Sequence, residues 1–270
     1  MMELFEMTFF RNAFIMCILL GILFGTLSFF VVMRGLSFMG AGIAHTAFAG
    51  VAIGLLCGIN PFYTSLAFCV ASALVIGRIV KLGRISYDAS IGIFFSFSMA
   101  LGALLIAMRK DYSFDLMGYL FGNILGITDF DRTIVIIALL VFLPFVAVFL
   151  HRILFASFDE EVAAVSGVPI VLLENIMLVF LAAIIVVSIK IVGIVLVSAL
   201  VVLPASFGLL VSNNFRLVLA GGTVYAVSIM LGGLFLSYRL DTPTGATMVA
   251  GGTLVYFMML GISRLTTNGR

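Results

Sequence analysis

The sequence predicts an all-α polytopic membrane protein with eight or nine transmembrane helices, a short re-entrant or interfacial helix and one further short helix in the aqueous phase. Three observations carry this. The 270 residues are 64% hydrophobic and only 10% charged, with a mean hydropathy of +1.34. A soluble domain carries roughly a quarter of its residues as charges, so lipid must cover this chain's outside. Apolar runs of about 20 residues, the length that crosses a bilayer, recur along the whole chain. Lys and Arg gather between those runs. The net charge of +2 is too small to argue for nucleic acid as a partner.

The runs fall at 11–33, 37–58, 61–80, 89–108, 132–151, 170–189, 191–212, 216–237 and 244–263, within a single transmembrane domain spanning 1–270. The opening "MMELFEMTFFR" is acidic and lacks a small-residue cleavage pattern, so it reads as the lead into a retained span and not as a signal peptide. The stretch 114–128, "FDLMGYLFGNILGIT", is too short to span. It reads as a re-entrant helix, tolerated at membrane depth when packed against protein. Lys190 separates two runs so narrowly that eight spans remain open beside nine. Placing Arg78, Lys81, Arg84, Arg152, Arg264 and Arg270 inside fits nine spans with an outside N-terminus. Arg34 then falls inside too, and Arg109, Lys110 and Arg239 outside.

The stretch 156–169, "ASFDEEVAAVSGVP", has its own helix signals. Ser157 and Glu160 match a capping box. Asp159, Glu160 and Glu161 suit the positive end of the helix dipole, and Gly167 then Pro169 end the helix. It reads either as a connector or as a docking helix for a cytosolic partner. In the second run, Gly42, Thr46, Gly50, Gly54 and Gly58 recur every fourth residue, a spacing that lets another helix approach closely. His45 lies in the same run, about nine residues in, near mid-depth at ~1.5 Å per residue. Ionisable groups there are costly and face a cavity or a partner. Two readings stay open: a neutral imidazole hydrogen-bonded to Ser37 or Thr46, or a ligand for a transported ion. A transition ion takes about four donors, so one histidine is not a complete site. Cys17, Cys57 and Cys69 read as small apolar packing residues. Pro204 kinks its span, with Ser198 and Ser206 nearby to satisfy freed carbonyls. Asp241 reads as a cap for the last span, and Glu174 as a span-end residue that is wet or meets a partner.

No H-E-x-x-H, G-x-S-x-G or nucleotide-binding G-x-x-x-x-G-K-[ST] pattern occurs. The chain therefore reads as no enzyme, and ATP-driven transport would need a separate ATPase. An ion-coupled secondary transporter is the alternative from another class, but it calls for mid-span acids and an internal repeat. An intramembrane enzyme would need a nucleophile matched to His45.

Six motifs occur in order: "RGLSFMGAGIAHTAFAGVAIG" (34–54), "DASIGIFFS" (88–96), "DLMGYLFGNIL" (115–125), "FDEEVAAVSGVP" (158–169), "VGIVLVSALVVLPAS" (192–206) and "LDTPTGATMV" (240–249). Together they resemble the membrane permeases of ATP-binding-cassette importers for zinc, manganese and iron. The resemblance implies a homodimer with a path between two copies, in the cell (inner) membrane. It also implies a cytosolic ATPase dimer gripping a coupling helix at about 157–168, and an extracytoplasmic metal-binding protein that delivers the ion. The coupling residues would be Asp159, Glu160, Glu161 and Gly167. His45 falls on the family's metal histidine, with Ser37, Ala41, Thr46, Asn123 and Ser198 along the path and Gly42, Gly50, Gly54 and Gly58 in helix packing.

There is a departure from the family. It carries an aspartate one turn before that histidine, where this chain has Ala41; Asn123 likewise stands where relatives show an acid. Two imidazoles from two copies make a softer site, so zinc is expected first as the transported ion, then manganese, iron or a chelated metal. No cofactor is expected to be held permanently.

Overall fold

A computed structural model of the chain describes residues 8–83, 85–108, 118, 121–122 and 126–267. Ten helices are named here: α1 (Thr8–Met33), α2 (Ser37–Cys57), α3 (Pro61–Lys81), α4 (Tyr87–Ala107), α5 (Asp129–Phe158), α6 (Glu160–Val165), α7 (Ile170–Leu200), α8 (Leu203–Val211), α9 (Phe215–Leu240) and α10 (Thr244–Thr267). No strand occurs among the described residues. Eight stretches there are long and apolar enough to cross a membrane, so the chain is an all-α, multi-pass membrane protein.

The sixth stretch, Ile170–Val211, has 42 residues. At about 1.5 Å per residue it is about 63 Å long, twice the ~30 Å hydrocarbon core. The helix is broken inside it at Gly193 (φ 79, ψ 162), a backbone conformation that glycine adopts without steric cost. The expected spans 170–189 and 191–212 are thus both present, and the boundary falls at Gly193, not at Lys190.

The chain forms two compact units interleaved in sequence. The first comprises Met1–Ser37, Leu116–Ile136 and Ser188–Arg270. Here α1 and α9 run antiparallel. Gly25 abuts Thr223 and Gly21 abuts Val227, while Phe10 packs on Phe235 at 5.4 Å and on Tyr238 at 5.9 Å. α8 lies beside the start of α9, where Gly208 meets Val218 and Gly222 meets Pro204. Gly245, just past the end of α9, lies so near Val192 that an added Cβ would sit 2.8 Å from its carbonyl oxygen. The segment after Gly193 therefore runs from the level where α9 ends to the level where it begins, a pass in its own right. Pro204 stands just past the helix interruption at 201–202, where a kink is expected, and occupies the first turn of α8, where its missing N–H costs nothing. α8 has no side-chain cap of its own, and the Ser28 hydroxyl of α1 accepts the Ala205 N–H at 3.0 Å. Asp241 ends α9 in a left-handed conformation (φ 53) and does not start α10.

The second unit comprises Phe38–Asp115 and Ile137–Val187. α2 touches α4 through Gly42 against Ile91 and through Phe48 and Ala49 against Gly102. It touches α3 through Gly50 against Ser65 and Gly54 against Pro61 and Thr64. Four residues turn a helix by about 400°, so a four-residue repeat drifts by about 40° per step. The small-residue line consequently serves two neighbours in turn. Gly58 is not part of it: it is an exposed turn residue with φ +70 and open space around it. α5 meets α7 through Phe142 and Phe145, whose rings lie 5.2 and 4.9 Å from that of Phe180.

Candidate functional site

Ala41 and His45 are one helical turn apart on α2, and both are half-buried. Between them Gly42, Ile43 and Ala44 are buried, as are Thr46 and Ala47 beyond. The open edge of α2 is therefore the edge that carries His45. The imidazole stands edge-to-face on Phe95 of α4, with centroids 4.7 Å apart at 79°, an arrangement favoured by the ring quadrupole. Its anticipated hydrogen-bond partner is engaged elsewhere. Thr46 is fully buried, donates to the Ile43 carbonyl at 2.7 Å and contacts Cys69 Sγ of α3 at 3.6 Å. It serves helix packing and does not sit on the open edge. Ser37 is the half-buried first residue of α2.

Two hydroxyls that the sequence reading passed over lie on α4. Ser90 and Ser98 are buried, and neither oxygen has a hydrogen-bond partner among the described residues. Ser98 follows Phe95 by one turn and precedes Gly102, which touches α2, so it lies on the helix face turned to α2. An unpaired buried hydroxyl is costly, and that cost was the signal to look for in "SIGIFFSFS". Among the described residues no group of three His, Cys, Asp or Glu side chains could hold a metal ion. Among the described residues this level offers the His45 imidazole and the Ser98 hydroxyl. Ser198 belongs to the first unit and donates back to Ile194 at 2.9 Å. Asn123 lies outside the described residues.

The short helix α6 is present, but its cap differs from expectation. Asp159 is the N-cap, accepting from Val162 N–H at 3.0 Å. Ser157 is still inside α5 and bonds Ile153 O at 2.7 Å. Glu160 and Glu161 occupy the first turn. At the other end Val168 N–H reaches Ala163 O and Gly167 N–H reaches Ala164 O, both at 3.0 Å. That pair of bonds is a Schellman motif, and it places Gly167 at φ +83. Val168 packs on Ala156, Ala163 and Ile170. Asp159, Glu160, Glu161, Val162 and Val165 stay exposed, so α6 is held by its ends and presents its outer face.

Two charged clusters join distant elements. Glu174, near the start of α7, is buried. It pairs with Lys81 at the end of α3 and accepts from Tyr87 Oη of α4 at 2.9 Å. Asp131 is also buried. Its carboxylate accepts from Thr128 N and Oγ1 at 3.0 and 2.7 Å, while Thr128 Oγ1 accepts from Asp131 N at 3.3 Å. This is a reciprocal cap at the start of α5, and Lys190 completes it.

The profile of the ABC 3 transport family matches residues 6–263. The manganese transport system membrane protein MntC of Listeria monocytogenes is 35% identical over 256 residues, covering 94% of this chain and 91% of that one. The manganese import system permease protein ScaB of Streptococcus gordonii is 30% identical over 260 residues, covering 96% and 93%. A solved structure, PsaBC from Streptococcus pneumoniae in complex with Fab, superposes with a TM-score of 0.84 at 30% identity, covering 95% of this chain and 92% of that one.

Proposed function

The chain belongs to the ABC 3 transport family and is a permease subunit of a metal ABC importer, and on that premise we propose that it carries manganese. The observation behind this choice is likeness over more than nine-tenths of the chain to permeases named for manganese. It outweighs the zinc expectation, which rested on the single position Ala41. In this reading two copies form the path, and the open edge of α2 lines it. His45 from each copy meets the ion. The Ser98 hydroxyl, water and main-chain carbonyls supply the oxygen donors that manganese prefers.

The reading assigns ATP hydrolysis to a separate cytosolic ATPase dimer. α6 is the element it grips: a short helix clamped at both ends moves as a body and passes its displacement to α5 and α7. An extracytoplasmic metal-binding protein delivers the ion, and the complex sits in the cell membrane. The metal is cargo and is not retained.

Zinc is the second reading, supported by Ala41, because an imidazole pair without a carboxylate is a soft donor set. One experiment separates them. The permease is co-purified with its ATPase, reconstituted in vesicles, and ATP-dependent uptake of Mn²⁺, Zn²⁺ and Fe²⁺ is measured in competition. Preferential Mn²⁺ uptake is expected. Preferential Zn²⁺ uptake selects the second reading, and ATP-independent uptake would remove both.

A further inference from the structure

A cavity of about 500 Å³ lies between α3 and the first half of α7, both in the second unit. Arg78 and Asn175 line it together with Leu74, Val75, Ile176 and Val179. Helix position orders these residues by depth. Arg78 is three residues from the end of α3, and Asn175 is five from the start of α7. The Lys81–Glu174 ion pair fixes those two helix ends at one level. The polar mouth therefore sits at a membrane surface, and Leu74, Val75 and Val179 lead about one turn inward.

Both cations in the last turn of α3 are Arg78 and Lys81, and they differ in their surroundings. Lys81 is neutralised by Glu174. Arg78 is exposed, and no carboxylate pairs with it among the described residues. The walls are apolar and the mouth carries the Arg78 cation, so the matching occupant is apolar along the walls and anionic at the mouth. We propose that this groove binds one anionic phospholipid. The phosphate sits on the Arg78 guanidinium, whose fork matches phosphate geometry. The Asn175 amide takes headgroup or glycerol oxygens, and an acyl chain lies along Val75, Ile176 and Val179. The volume falls in the range of about 300–1,000 Å³ typical of small-molecule sites, and basic pockets between spans are the usual seat of acidic headgroups.

The test uses the full chain in nanodiscs made from equal parts phosphatidylcholine and phosphatidylglycerol. Lipid retained after mild detergent extraction is counted by native mass spectrometry. The unmodified protein is expected to keep phosphatidylglycerol in preference. Arg78→Gln should keep about five-fold less, Arg78→Lys an intermediate amount, and Val179→Trp, which fills the apolar end, little of either lipid. Arg152→Gln, which removes a cation elsewhere, should match the unmodified chain. Unchanged phosphatidylglycerol retention in Arg78→Gln overturns the proposal. So does Val179→Trp splitting a dimer at constant lipid count, which would make the occupant a second copy. Variants enter the comparison when they elute as a single species, and either one alone decides the matter.

Discussion

The Lys190 ammonium lies 2.8 and 2.7 Å from the two carboxylate oxygens of Asp131, joining the stretch before the Gly193 break to the first turn of α5. The carboxylate is buried and the lysine side chain is 62% exposed. Removal of the acid therefore costs more than removal of the base. Asp131→Ala loses the reciprocal cap and the ion pair together, about 1–2 kcal/mol. Lys190→Ala leaves the cap in place and loses about 1 kcal/mol or less. Thermal unfolding of both single variants and the double variant in detergent measures the difference, and similar losses for the two would contradict this account.

Glu174 should behave as a junction between three helices. Glu174→Gln keeps an acceptor for Tyr87 but removes the charge facing Lys81, with an expected loss of about 1–2 kcal/mol. Tyr87→Phe removes one hydrogen bond and should lose about 1 kcal/mol. Since Glu174 follows α6 by nine residues, Glu174→Gln should also lower transport per ATP hydrolysed, measured in the reconstituted complex. A variant that melts earlier yet couples normally would make the cluster purely structural.

The open edge of α2 predicts opposite outcomes for adjacent positions. His45→Ala should reduce metal uptake by about 10-fold or more, since losing even an outer-shell partner of a metal ligand costs at least that, with little change in melting. Thr46→Ala loses buried hydrogen bonds, about 1 kcal/mol, and should leave uptake near normal. Ala41→Asp places a carboxylate one turn from the imidazole and should raise the Mn²⁺ to Zn²⁺ uptake ratio. Paired uptake and melting measurements on the three variants check the set.

Small-residue positions should divide by neighbour. A Cβ at Gly50 would run into the Ser65 backbone, so Gly50→Ala should cost about 1–3 kcal/mol through overpacking. Gly221, inside α9, has nothing within 4 Å. Gly221→Ala should be neutral or stabilise by up to about 1 kcal/mol through helix propensity. Gly58→Ala meets no atom but has φ +70, and should cost about 1 kcal/mol through backbone strain. Melting temperatures of the three variants would show whether contact or conformation sets each cost.

The sequence alone determined the class, the positions of the apolar passes and the capped helix between α5 and α7. Each of these is a local property: hydropathy over 20 residues, a cap side chain, a glycine followed by a proline. It also marked His45 as anomalous and carried the family resemblance. Only the tertiary structure decided that His45 lies on the open edge while Thr46 faces Cys69, that Gly42 and Gly50 meet different helices, and that Asp131 finds Lys190 across 59 residues. The reason is physical. In a soluble protein the contrast between polar and apolar faces tells which way a helix is turned. α2 has no continuous polar face, and lipid is as apolar as a neighbouring helix. Its rotation is therefore set by close packing against α3 and α4, which no local pattern records.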